Sequence, residues 1–148
     1  MTKFQTLEAI ERAKLAHIEQ MEKIDLMLRG VSVENPTSIS KVECDFGQWL
    51  YGDNTESLKH LLGVQFYDEL DREHEEWHVE YTKIYDLLLQ KQSRGFFAKI
   101  FHTSSVDPLV LDKAKTYYVE LERITEKLLH SLEKSERRLA AINTSKFV

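Results

Sequence analysis

The sequence predicts an all-α fold: an antiparallel four-helix bundle in which one short helix carries the only cysteine. Three observations lead there. The 148 residues contain only two prolines and five glycines, so little interrupts the helices. Apolar residues recur in alternating steps of three and four, the period of a helix face turned to a core. A chain of this length forms one domain with one core, here residues 1–148 with its core at about 7–139.

The first helix is expected from Thr6 to Arg29, with Gly30 ending it. Its inward seam is Leu7, Ile10, Lys14, His17, Met21, Ile24 and Leu28. Lys14 and His17 interrupt that seam. A lysine stem can carry its charge outwards, but an inward histidine needs a partner. Residues 31–38 read as a loop broken at Asn35-Pro36. A second, shorter helix is expected over Ser38–Tyr51, with an apolar stripe of Ile39, Val42, Phe46 and Trp49. Cys44 falls opposite the stripe, on a face with Ser40, Gly47 and Tyr51, and Gly47 leaves room for another helix to approach the thiol.

Gly52-Asp53-Asn54 breaks the chain again, and a short helical turn follows over Glu56–Leu62. The next long helix is expected over Val64–Gln92, with the seam Tyr67, Leu70, His74, Trp77, Tyr81, Ile84 and Leu88. Residues 93–105 give no regular signal. Three phenylalanines between Phe96 and Phe101 lie among Arg94, Lys99 and His102; they read as a cap on an open end of the bundle or, alternatively, as an amphipathic turn that touches a partner or a membrane surface. Asp107-Pro108 opens the last helix as an N-cap followed by proline at the first helical position. Its seam runs Leu111, Ala114, Tyr118, Leu121, Thr125, Leu128, Leu132, Ser135, Leu139 and Ile142. That is roughly 35 residues, about 50 Å of helix. The length suggests pairing with a second copy, and a homodimer is expected.

Composition narrows the function. A net charge of −5 offers no general attraction to nucleic acid. A lone cysteine forms no intrachain disulfide and suits a reducing compartment. No stretch reaches the roughly 18 apolar residues of a membrane span, and the N-terminus has no signal-peptide apolar run. A cytoplasmic protein without membrane contact is expected.

The chemistry-bearing residues are His17, Cys44, His74 and His78. The last two stand four apart on one helix, so their imidazoles share a face. His17 and Cys44 come from two other segments. One thiol and three imidazoles form a donor set that zinc prefers and that calcium and magnesium do not. Taken singly, each residue is more simply a core side chain: a buried cysteine behaves as a small hydrophobe, and a seam histidine usually finds a hydrogen bond. The case rests on their convergence. His60 is the reserve ligand, and His102 and His130 are weaker candidates. A carboxylate behind the histidines is expected from Asp25, Asp45 or Asp71.

The run Cys44-Asp45-Phe46-Gly47-Gln48-Trp49-Leu50, followed by His74-x-x-x-His78 and preceded by the helical His17, resembles the chemoreceptor zinc-binding domain family. The resemblance covers roughly Leu7 to Leu139. It implies a four-helix bundle, Zn²⁺ as cofactor with His17, Cys44, His74 and His78 as ligands, and a sensory or regulatory role in bacterial signalling. Such domains occur in soluble chemoreceptors and diguanylate cyclases. Zinc level or oxidation of the cysteine would be the signal, and a signalling protein the partner. Gln20 stands where the family often carries tryptophan. The chain has no room for a cyclase or a receptor coiled coil, so a free-standing member or an excised domain is expected.

Two other function classes compete. A metal-free interaction bundle would use the same residues as core. A metalloenzyme needs an open position at zinc, or the inward glutamates of a di-iron bundle. Four ligands leave no open position, and only Asp71-x-x-His74 approaches the di-iron spacing. No enzymatic activity is expected.

Overall fold

The computed structural model describes residues 1–93 and 107–147, with side chains described through residue 88 and again from 107. Phe96–Phe101 and His102, singled out above, lie outside the described residues. The described residues form an all-α bundle of five α-helices: α1 (Lys3–Leu28), α2 (Asp45–Leu50), α3 (Thr55–Leu62), α4 (Val64–Ser93) and α5 (Pro108–Ala141).

The three long helices hold the core. Lys3 Nζ donates to the carbonyls of Ala140 and Ile142 at 2.6 and 2.7 Å, Lys14 meets Glu136, and Tyr118 lies over Met21. The α1 numbers rise as those of α5 fall, so the two helices run antiparallel. Glu69–Lys134, Trp77–Thr125 and a Lys83–Tyr117 cation–π contact give the same sense for α4 and α5. All seven expected α4 seam residues are buried, as are Ala114, Leu121, Thr125, Leu128, Leu132, Ser135 and Leu139 of α5. Lys14 behaves as expected for a long stem, reaching Glu11 and Glu136 at the surface.

Local chemistry sets the ends. Thr2 and Gln5 form a capping box at the start of α1, and Gly30 follows its end at φ +83°, a left-handed conformation that glycine adopts freely. Asp107 caps α5 ahead of Pro108, as expected.

The return leg, residues 29–63, differs most from expectation. A helix over 38–51 is not what forms: residues 39–44 are turns and bends, and α2 is six residues long. Cys44 is therefore not on a helix face but is the N-cap of α2. Of the expected stripe, Ile39 and Val42 are exposed, Trp49 is half-buried and Phe46 enters the core, where Leu50 joins it from outside the stripe. Tertiary bonds explain the change. Thr37 N–H donates to Gln20 Oε1 at 3.1 Å, Tyr81 Oη donates to Thr37 O at 3.0 Å, and Lys41 Nζ donates to Asp71 Oδ1 at 3.0 Å. These outweigh a weak local helix preference.

Gly47 does allow a close approach, but not by another helix. A Cβ there would lie 1.6 Å from Lys41 O, so it is the chain's own backbone, three residues before Cys44, that occupies the space.

Candidate metal centre

Two separate stretches deliver three donor atoms to one point. α4 presents His74 and His78 one turn apart, and the start of α2 presents Cys44. His74 Nε2 lies 3.3 Å from Cys44 Sγ and 3.1 Å from His78 Nε2, and one donor atom from each residue lies within 4.8 Å of the others. Around a tetrahedral zinc, nitrogen donors stand about 3.4 Å apart, and nitrogen and sulfur about 3.6 Å. The Cys44–His74 and His74–His78 pairs thus stand within a few tenths of an ångström of that geometry.

Hydrogen bonding supports the same fit. His78 Nδ1 is 3.1 Å from Ile39 O, so it carries the proton and donates it, leaving Nε2 with its lone pair. His74 Nδ1 lies 3.3 Å from Tyr51 Oη, whose own proton goes to Asp71 Oδ1 at 2.7 Å. Nδ1 of His74 is then the donor, and its Nε2 also faces inward as a lone pair. Two nitrogen lone pairs 3.1 Å apart repel each other unless a cation lies between them. The site has the chemistry of an electrophile's cradle.

Cys44 Sγ completes it. The Gly47 N–H donates to the sulfur at 3.3 Å, and Lys41 O lies at 3.5 Å. Burial pushes the thiol above its ordinary value, against the pull of the Gly47 N–H. A cation at this point reverses that preference, because a coordinating sulfur is a thiolate. Both imidazoles are neutral and ready to ligate. Burial, then repulsion from His17, brings His74 down to about 2 and His78 to about 4.

His17 is placed beside the trio. It is buried, its ring centroid is 5.5 Å from that of His74, and its Nδ1 bonds to Ala13 O at 2.7 Å, so Nε2 is again the free nitrogen. It stands outside the set of donors lying within 4.8 Å of one another. Burial lowers its proton affinity too. Phe46 packs edge-on against both His17 and His74, and Trp77 against His17. A cleft of about 260 Å³, lined by His17, Gln20, Thr37, Cys44, Phe46 and His78 among others, borders the site.

Among the three carboxylates considered, Asp71 is the one behind the site, one residue removed through Tyr51. Desolvation would raise it, but hydrogen bonds from Tyr51 and Lys41 prevail and hold it below its ordinary value. Sequence reasoning did not assign roles to Tyr51, Lys41 or the Ile39 carbonyl. The spacing Asp71-x-x-His74 was the available signal, since it sets both groups on one face of α4. His60 lies on α3, outside the cluster, with no part in it.

Residues 17–85 match the model of a family described as the chemoreceptor zinc-binding domain, a segment that contains His17, Cys44, His74 and His78. Comparison with curated proteins and with solved structures gives no match. The converging thiol and imidazoles agree with that match, and over residues 17–85 the chain is similar to the chemoreceptor zinc-binding domain family.

Proposed function

We propose that His17, Cys44, His74 and His78 together hold one zinc ion, and that the chain is a sensory or regulatory module with no catalysis of its own. The carrying observation is the convergence of the Cys44, His74 and His78 donors within 4.8 Å, with both imidazole Nδ1 atoms committed elsewhere. Support for His17 as the fourth ligand is its burial beside His74 and its free Nε2. Bound zinc supplies charge that keeps the sulfur a thiolate and ties α1, the start of α2 and α4 together.

Signalling through this site needs a residue that responds and an element that moves. Cys44 is half-buried and borders the cleft, so a small oxidant reaches it. Its thiolate would attack a peroxide oxygen: an S–O bond forms, the O–O bond breaks, and hydroxide leaves, giving a sulfenic acid. Cys44 then loses its donor character, and the 31–51 segment is freed from α4. Because the chain has no second cysteine, restoration requires an external thiol. The output is a changed surface on the return leg, read by a signalling partner or by a second copy in a homodimer. The place of action is the cytoplasm; among the described residues no helix is long and apolar enough to cross a membrane.

The test is metal content by mass spectrometry on untagged protein, with zinc affinity by chelator competition. One zinc per chain is expected, with affinity falling at least about a hundredfold in Cys44→Ala and in His17→Ala. Unchanged affinity in Cys44→Ala rules the site out. Unchanged affinity in His17→Ala alone reduces it to three ligands and reopens the enzymatic reading, since catalytic zinc keeps one position free.

A further inference from the structure

We propose that Tyr51 and Asp71 are positioning residues that hold the metal site in its ligating tautomer. Tyr51, already a donor to Asp71, offers only lone pairs to His74 Nδ1 and so keeps the His74 Nε2 lone pair turned to the ion. The inference deepens the zinc reading above and rests on it.

A phenol has one proton. The 2.7 Å bond from Tyr51 Oη to Asp71 Oδ1 uses it, and Lys41 Nζ, 3.0 Å from the same oxygen, keeps that carboxylate charged and in place. At 3.3 Å, His74 Nδ1 then meets an acceptor and must bring the proton itself. The alternative tautomer has an obvious attraction. With its proton on Nε2, His74 would donate directly to His78 Nε2, 3.1 Å away. The two imidazoles would satisfy each other, and an incoming ion would first have to displace that proton. The Tyr51–Asp71 pair works against this closure and leaves the lone pairs facing each other.

Lys41 extends the arrangement to the sulfur. Its ammonium anchors Asp71, while its carbonyl lies 3.5 Å from Cys44 Sγ and fills the space above Gly47. One loop residue therefore reaches the supports of two donors, an imidazole on α4 and the thiol before α2. Tyr51 lies at the other end of α2 from Cys44, and its ring stacks on His74 with centroids 6.1 Å apart. Removing its hydroxyl leaves these packing contacts intact.

The experiment compares wild type, Tyr51→Phe and Cys44→Ala, using zinc affinity by chelator competition and histidine tautomers by long-range proton–nitrogen NMR on metal-free protein. Metal-free wild type should show His74 protonated at Nδ1. Tyr51→Phe should move the proton towards Nε2 and weaken zinc binding by about 10- to 100-fold, the usual effect of removing a group that orients a ligand. A wild-type His74 protonated at Nε2 overturns the proposal without any variant, as does an unchanged tautomer or an unchanged affinity in Tyr51→Phe. If Cys44→Ala weakens binding and Tyr51→Phe does not, this proposal alone fails. If neither variant alters affinity, the zinc reading falls with it.

Discussion

The histidines of the site carry an electrostatic consequence of their own in the metal-free protein. His74 and His78 sit at about 2 and about 4 rather than their ordinary 6.5, first because burial penalises the charged ring and then because His17 adds repulsion. Desolvation lowers His17 in the same direction. All three bind protons more weakly folded than unfolded. Their full contribution to stability is present above pH 6.5 and is lost as pH falls towards the folded values, because the unfolded chain takes up protons first. Urea denaturation of metal-free protein between pH 7 and 5 should show stability falling, with about two or more protons taken up on unfolding by the lower end. Carboxylates of ordinary affinity remain mostly ionised in that window. A flat stability profile would mean that these imidazoles are not buried as neutral rings.

Among the elements, the return leg decides whether the donors meet. Gly47 lies in the first turn of a six-residue helix pressed on its own leader. A methyl there would stand 1.6 Å from the Lys41 carbonyl oxygen and 2.7 Å from its carbon, so backbone must move. Gly47→Ala is expected to cost about 1–3 kcal/mol by chemical denaturation and to weaken zinc binding, because Lys41 and Cys44 shift together. Wild-type affinity in that variant would show that the thiol is placed independently of the leader. The long helices were legible in the sequence because each repeats its apolar step over many turns; Tyr67 to Leu88 on α4 is buried at every expected position. His74 and His78 followed from the same register. The segment before Cys44 was not legible, because Ile39 and Val42 mimic a helix stripe over a few residues. Its actual course is set by partners far along the chain, Gln20, Asp71, His78 and Tyr81. The thiol as a candidate was plain from composition, whereas its role as an N-cap depended on those distant bonds.

For the whole molecule, the core and the metal site rest on different parts. Leu121, Leu128, Leu132, Ile10, Leu70 and Ile84 are fully buried between α1, α4 and α5 and do not need the site to stay there. Residues 37–51, by contrast, are tied down by a few polar bonds, two buried side chains of α2, and the donor cluster itself. Zinc should therefore stabilise the chain by mass action while ordering mainly this leg. At a free concentration a thousandfold above Kd the gain is about 4 kcal/mol, which corresponds to a rise in Tm of roughly 8–16 °C for a chain of this size. Hydrogen exchange should separate the two parts. Chelation is expected to speed exchange at amides of residues 37–51 while the core amides of the long helices lose protection only in step with global stability. Cys44→Ala should exchange like the chelated wild type, with or without zinc. Local loosening of this kind would give a signalling partner a surface that depends on the ion. Collapse of protection along all three long helices at once would instead make zinc a requirement of the fold, and the site would then be a structural staple with no state left to read.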